Sequence, residues 1–298
     1  MRRPSHFGFN SETFKSNPFQ TNSTENKSEI SKIAQDEFDI FVKKLTHQFS
    51  VDVHIFEDQK NVITPDSVFM NNWISFFPGG KMVTYPMLTE NRRIERDEGI
   101  IESFSQTNEN LIRLELENNF EKNQKFLEGT GSVVYDHNRK VGFACRSPRT
   151  SLEVLDHLGL KIGYKMINFK AADQDNLDIY HTNVLLTICE NFVIICKDSL
   201  DMINDMVKDK FIKDNFLSQG KEVIDISFDQ LSKFCGNCFE VENKKGDKIL
   251  IMSKTAKQNF SEKQILIIEK YCKICDVDIG NIEKVGGGSA RCMVTGYF

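Results

Sequence analysis

Near the end of the chain, Gly286-Gly287-Gly288-Ser289-Ala290-Arg291-Cys292-Met293 sets one cysteine in a glycine-rich turn. Glycine permits backbone angles and close approaches that a Cβ forbids, and a thiolate attacking a flat carbon needs such clearance. An ordinary thiol is mostly protonated near neutrality, so attack also requires a base or surroundings that favour the thiolate. Two upstream runs offer partners. Tyr180-His181-Thr182-Asn183-Val184 puts a histidine at the mouth of an apolar stretch, and Phe126-Leu127-Glu128-Gly129-Thr130-Gly131-Ser132 starts a glycine turn with a carboxylate. Cysteine, histidine and acid together suit nucleophilic attack with proton transfer by the imidazole. Taken singly, each also has a plain structural role: a core thiol, a hydrogen-bonded strand-end histidine, a capping carboxylate.

Other polar groups occur in equally distinctive runs. Thr64-Pro65-Asp66-Ser67-Val68-Phe69-Met70-Asn71-Asn72-Trp73 sets a turn and amide side chains against apolar residues, and arginines arrive in Asn91-Arg92-Arg93 and Ser147-Pro148-Arg149-Thr150. The chain has eight cysteines, four of them in two C-x-x-C pairs, Cys235/Cys238 and Cys272/Cys275, with 272 − 238 − 1 = 33 residues between the pairs. Zinc ribbons usually separate such pairs by ~15–20 residues. Ser261 and Gln264 read as a capping box opening a helix over Glu262–Cys275, which places the second pair on an apolar helical face. Cys145, Cys189 and Cys196 lie in or beside apolar runs and read as core thiols. A non-catalytic zinc or interaction protein built on the C-x-x-C pairs is the alternative from a different functional class.

The elements that must position these groups alternate. A segment rich in Ser, Asn and Thr over 5–35 reads as an irregular N-terminal arm, followed by a helix through Phe38, Phe41, Leu45 and Phe49. Strand-like runs are Val51–Phe56, Met82–Met87, Ser132–Tyr135, Val141–Cys145, Val184–Ile188 and Phe192–Cys196. Helical runs are Thr150–Leu158, Leu200–Phe211, Phe228–Phe234 and Glu262–Cys275. Alternation of this kind predicts an α/β architecture. No linker-like stretch cuts the 298 residues, so a single domain over 1–298 is expected. The net charge of −5 with no dense basic block gives no support to a nucleic-acid binder. No apolar run approaches the ~20 residues of a membrane span. The start, Met1-Arg2-Arg3-Pro4-Ser5-His6, lacks the apolar stretch of a secretory signal, and cytoplasmic residence is the expectation.

In their order along the chain, TPDSVFMNNW from Thr64, YPMLTENRR from Tyr85, FLEGTGS from Phe126, SPRT from Ser147, YHTNV from Tyr180 and GGGSARCM from Gly286 resemble the guanidine-modifying superfamily. That superfamily holds arginine deiminases, dimethylarginine dimethylaminohydrolases and amidinotransferases. The likeness is greatest to the arginine deiminase-related branch with bacterial citrulline hydrolases (citrulline ureidases), and it spans nearly the whole chain. It implies a five-bladed α/β propeller, or pentein, of ββαβ units around a polar channel. It implies Cys292 as nucleophile, His181 as general acid/base and Glu128 as the acid that orients the histidine. It further implies Arg92 and Arg149 as holders of a substrate carboxylate, with Asp66 near the amino-acid head group; Arg93 is the alternative to Arg92. No cofactor and no metal are implied.

The departures from the pattern carry the substrate expectation. Where deiminases bind a guanidinium with two further carboxylates, this chain has Asn72 and Asn183. A carboxylate buried beside a neutral ureido group is an uncompensated charge, whereas asparagine supplies both a donor and an acceptor. The expected reaction is therefore hydrolysis of citrulline to ornithine, carbon dioxide and ammonia. Hydrolysis of arginine or a methylarginine is the second enzymatic reading. The partner in either case is a small amino acid. A homo-oligomer is compatible with the sequence.

Overall fold

A computed structural model describes residues 1–21, 26–59, 61–108 and 110–298. Among these residues four three-stranded sheets share one topology, with the second strand of each at the centre. In each, an antiparallel pair is followed by a return strand parallel to the central one. The sheets are Ile74–Phe77, Lys81–Thr84 and Ile112–Glu115; then Val134–Asp136, Val141–Cys145 and Lys165–Phe169. Leu186–Ile188, Phe192–Ile195 and Glu222–Asp225 form the third, and Phe239–Glu242, Lys248–Ser253 and Lys273–Val277 the fourth. A fifth, minimal sheet pairs Arg2–Arg3 with Phe56–Glu57 in parallel.

The second unit illustrates the construction. Val141–Cys145 is buried throughout, as the central strand of a sheet covered on both faces must be. The connection to its parallel neighbour is the helix Leu152–Ile162, whose Val154, Leu155, Leu158 and Ile162 form the inward stripe. Each such side chain contributes about 1.5–3 kcal/mol on full burial. The helix stops at Gly163, whose φ of +77° is a left-handed cap that glycine adopts without strain. Other central strands read the same way: Phe192–Ile195 is fully buried, and Lys248–Ser253 is buried except at its first residue.

Several expectations need correction. The arm ends earlier than residue 35, because Asn26 accepts a hydrogen bond from the Ser28 amide and caps a helix over Lys27–Lys43. Val51–Phe56 is not a strand except at Phe56. Val184–Ile188 begins as a helical turn, Thr182–Leu185, before the strand Leu186–Ile188. The helix predicted over Leu200–Phe211 starts at Asp205, where Asn204 accepts from the Val207 amide. The Ser261/Gln264 capping box is present, but its helix ends at Tyr271 and Lys273–Val277 is a strand. Cys275 therefore sits on a sheet rather than on a helix face. Among the described residues no helix is long and apolar enough to cross a membrane.

Candidate active site

Each three-stranded sheet is entered through a short turn. Met70–Asn72 precedes the first, Gly129–Ser132 the second and Thr182–Leu185 the third, and Cys235-Gly236-Asn237-Cys238 leads into the fourth. Ala290–Met293 is a last turn of the same kind. These turns pack on one another: Met70–Asn72 against Gly129–Ser132 and Ala290–Met293, and Gly129–Ser132 against Thr182–Leu185. Asn72, Glu128, His181, Asn183 and Cys292 lie on or next to them. Close packing of the turns depends on Gly131, where an added Cβ would lie 2.5 Å from Asn72 Nδ2 and 2.8 Å from the His181 ring.

Cys292 is buried, and its sulfur lies 3.5 Å from Asn183 Nδ2 and 3.4 Å from Asn237 Nδ2. The side-chain amides of Asn183 and Asn237 thus hold the sulfur in place. Asn237 also donates to the Asn183 carbonyl at 2.9 Å and accepts the Arg291 amide at 3.1 Å, so it fixes the whole turn. Sequence reasoning missed Asn237, which lies inside the first C-x-x-C pair. Its signal was positional, since it precedes a unit's first strand as Asn72 and Asn183 do.

Glu128 and His181 are joined by a 2.9 Å hydrogen bond between Oε2 and Nε2. Burial raises the Glu128 carboxyl, but Arg149, the His181 contact and Arg92 outweigh it and hold it well below the usual carboxylate range. An ionised carboxylate only accepts, so Nε2 carries the hydrogen and Nδ1 is left as the basic nitrogen. Burial lowers the His181 imidazole to about 4, against the opposing pull of Glu128, so it rests neutral. Arg149 Nη1 meets the same Glu128 oxygen at 3.1 Å, and its guanidinium lies over the Tyr180 ring. Tyr180 in turn donates to the Gly287 carbonyl.

Of the two adjacent arginines, Arg92 faces inward. Its guanidinium forks onto Glu95 at 3.0 and 2.9 Å, and Nη1 donates to Asn72 Oδ1 at 2.8 Å. Arg93 instead donates to the carbonyls of Met87 and Leu88. Glu95, three residues after Arg92, was not singled out in the sequence, although that spacing places the two on one face of a turn. Burial raises the Glu95 carboxyl to about 7 despite Arg92. Asp66 accepts from Asn10 and Thr13 through Oδ2 and leaves Oδ1 buried without a partner.

Thr13, Asn17, Asp66, Asn72, Arg92, Arg149, His181 and Cys292 line one common cavity. Its volume is about 20 Å³, room for one or two water molecules at ~10–15 Å³ each. The N-terminal arm closes it. Thr13 Oγ1 bonds Asp66, the Thr13 carbonyl and Ser16 Oγ accept from Arg149, and Asn17 and Gln20 donate to the carbonyls of the glycine-rich turn.

The C-x-x-C pairs do not converge. Cys235 Sγ lies on the Ala256 carbonyl, Cys238 Sγ on the Cys235 carbonyl and Cys272 Sγ on Glu240, while Cys275 packs in a different apolar cluster from these three. Among the described residues no group of three or more His, Cys, Asp or Glu is arranged to hold a metal ion.

Known structures share the fold. ArgZ, an arginine dihydrolase of the ornithine–ammonia cycle in Cyanobacteria, superposes with a TM-score of 0.74 at 15% identity over 98% of this chain. The chain spans 39% of the full ArgZ chain, and 95% of the ArgZ N-terminal domain solved with a covalently bound reaction intermediate. A dimethylarginine dimethylaminohydrolase superposes with a TM-score of 0.63 at 17% identity over 88% of this chain and 90% of its own. At such identities these structures establish the fold. None of the curated proteins compared with the chain matches it. The sequence model of the family described as N,N dimethylarginine dimethylhydrolase, eukaryotic, matches residues 3–298. The chain belongs to that family, within the guanidine-modifying (pentein) superfamily.

Proposed function

We propose that the chain hydrolyses the ureido group of citrulline, and the observation that carries this reading is the way Arg92 holds Asn72. A guanidinium only donates hydrogen bonds, so Asn72 must turn Oδ1 towards it. Its Nδ2 is then buried without a partner near the His181 ring, since both crowd the same face of Gly131. A fixed donor there complements a ureido oxygen and opposes the N–H groups of a guanidinium. Asn183 supplies the counterpart: Nδ2 reaches Cys292 while Oδ1, buried and unpartnered, accepts a ureido N–H.

The chemistry follows from this arrangement. Cys292 attacks the ureido carbon as His181, neutral at rest, takes up the thiol proton. Charge developing on the ureido oxygen strengthens its bond to Asn72 Nδ2. His181 then delivers the proton to the departing nitrogen and activates water against the carbamoyl-type thioester. The thiol is regenerated, and the carbamic acid released decomposes to carbon dioxide and an amine or ammonia.

The arm occupies the place of the amino-acid head group. Asn10 and Thr13 donate to Asp66 where an α-ammonium would, and the Thr13 carbonyl and Ser16 Oγ accept from Arg149 where a carboxylate would. Substrate entry displaces the arm and exchanges these contacts for its own. Arg92, already forked onto Glu95, serves to orient Asn72 and keeps no free fork for a carboxylate. Four ββαβ units, with the small N-terminal sheet and its helix as the fifth, make up the propeller in this reading.

Arginine or methylarginine hydrolysis is the second reading, favoured by the family's name, by the carboxylate of Asp66 on the cavity wall and by that of Glu128 bonded to His181. A panel of citrulline, arginine, methylarginines and agmatine, with ornithine and ammonia both quantified, separates the two. Ornithine from citrulline, with arginine left intact, supports the first.

A further inference from the structure

Arg291 and Cys292 are consecutive, yet they open into different spaces. Cys292 lines the candidate active site, whereas Arg291 lines a separate cavity of about 720 Å³ that has no lining residue in common with it. Small-molecule sites typically enclose roughly 300–1,000 Å³. Phe76, Phe239, Tyr297 and Phe298 give the wall aromatic patches, beside the carboxylates Asp52, Asp136, Glu190, Glu240 and Glu242. Arg291 is only 8% exposed. Its guanidinium lies over the Phe239 ring at 4.3 Å, and Nη1 donates to the Val294 carbonyl at 3.0 Å. Among the described residues no carboxylate pairs with it, and the rest of its N–H groups have no acceptor. The other cations on this wall are committed, Lys221 to Asp136 and Lys248 to Glu190 and Glu242. Thr295 Oγ1, on the same wall, is also buried without a partner. A buried cation lacking a counter-charge is costly, and the planar fork of arginine matches a carboxylate.

We propose that this cavity is a second ligand site, for a small monocarboxylate with an apolar or aromatic body, whose carboxylate docks on Arg291 beside Thr295. Occupancy is felt at the nucleophile. The Arg291 amide donates to Asn237 Oδ1 at 3.1 Å, and Asn237 Nδ2 lies 3.4 Å from the Cys292 sulfur. An anion on Arg291 also offsets the positive charge next to Cys292, which slows reaction at the sulfur.

Titration calorimetry of the full chain with 3-phenylpropionate tests the site. The expected result is saturable one-site binding that persists in Cys292→Ser and Arg149→Lys and weakens about tenfold or more in Arg291→Gln, the loss of a charged hydrogen bond. Circular dichroism verifies that Arg291→Gln folds. Should it not, Tyr297→Glu, at a wall position 42% exposed, sets a like charge at the site and must weaken binding as well. Absence of saturable binding to wild type, binding unchanged in the folded variants, or loss in Arg149→Lys would each overturn the proposal. At saturation, alkylation of Cys292 by iodoacetamide slows in wild type and not in Arg291→Gln; an unchanged wild-type rate strikes out the link to the nucleophile.

Discussion

At the level of single residues, the site is a set of fixed donors and acceptors. Cys292 faces the amides of Asn183 and Asn237, and Arg92 sets the orientation of Asn72. Cys292→Ser should fold as wild type and lose turnover almost completely, because a hydroxyl lacks the accessible ionisation of a thiol; near-normal turnover would remove Cys292 from the mechanism. Asn72→Asp turns a buried carboxylate towards a neutral ureido group. Citrulline kcat/KM should drop about tenfold or more, since even ~1.4 kcal/mol of mismatch amounts to that factor. Steady-state assay of ornithine release measures it. His181 is lowered to about 4 from an ordinary value of 6.5. Between those values the unfolded chain binds a proton that the folded chain refuses, so this group costs stability as pH falls from 6.5 towards 4. NMR titration should find the His181 ring neutral at pH 5.5; a midpoint near 6.5 would contradict the buried, Arg-flanked environment. Cys292, His181 and Glu128 could be picked out of the sequence because each stands in its own unusual run, and the structure brings them together. Asn237 and Glu95 were hidden, since a partner's identity depends on turns and contacts that no local pattern records.

At the level of elements, short turns and one arm do the positioning. The strands Val141–Cys145 and Phe192–Ile195 were legible because central strands covered on both faces are continuous apolar runs. The return strands Ile112–Glu115 and Glu222–Asp225 were not, because they are short, partly exposed and mixed in polarity. Val184 and Leu185 misled for a different reason: the end of a buried helical turn and the start of a buried strand both look apolar over so few residues. The arm was legible as irregular polar sequence, but its contacts with the glycine turn were not. Asn17 and Gln20 tether it by donating to the Gly286 and Gly287 carbonyls. Asn17→Ala combined with Gln20→Ala removes these bonds, each of which contributes about 0.5–1.5 kcal/mol. Alkylation of Cys292 in the unliganded protein should then accelerate about tenfold or more. An unchanged rate would mean that the arm does not gate the cavity.

At the level of the whole molecule, one ββαβ plan recurs in four sheets and delivers a turn each time to the same place. Repetition was invisible in the sequence because the units share topology and burial rather than residues. Only the resemblance of motif runs pointed to it. All eight cysteines are buried; Cys145, Cys189 and Cys196 were read as core thiols, and the C-x-x-C pairs, weighed against a zinc site, disperse into the apolar clusters as such thiols do. The proposed citrulline reading rests on Asn72 and Asn183, at positions where the resemblance places guanidinium-binding acids. The most direct measurement gives the purified wild-type chain citrulline labelled with ¹³C at the ureido carbon, and in parallel arginine labelled at the guanidino carbon, and follows both by NMR. Transfer of the citrulline label to bicarbonate, with unlabelled ornithine accumulating and the arginine signal unchanged, is the predicted result. Conversion of labelled arginine to citrulline, with labelled citrulline left intact, would contradict it.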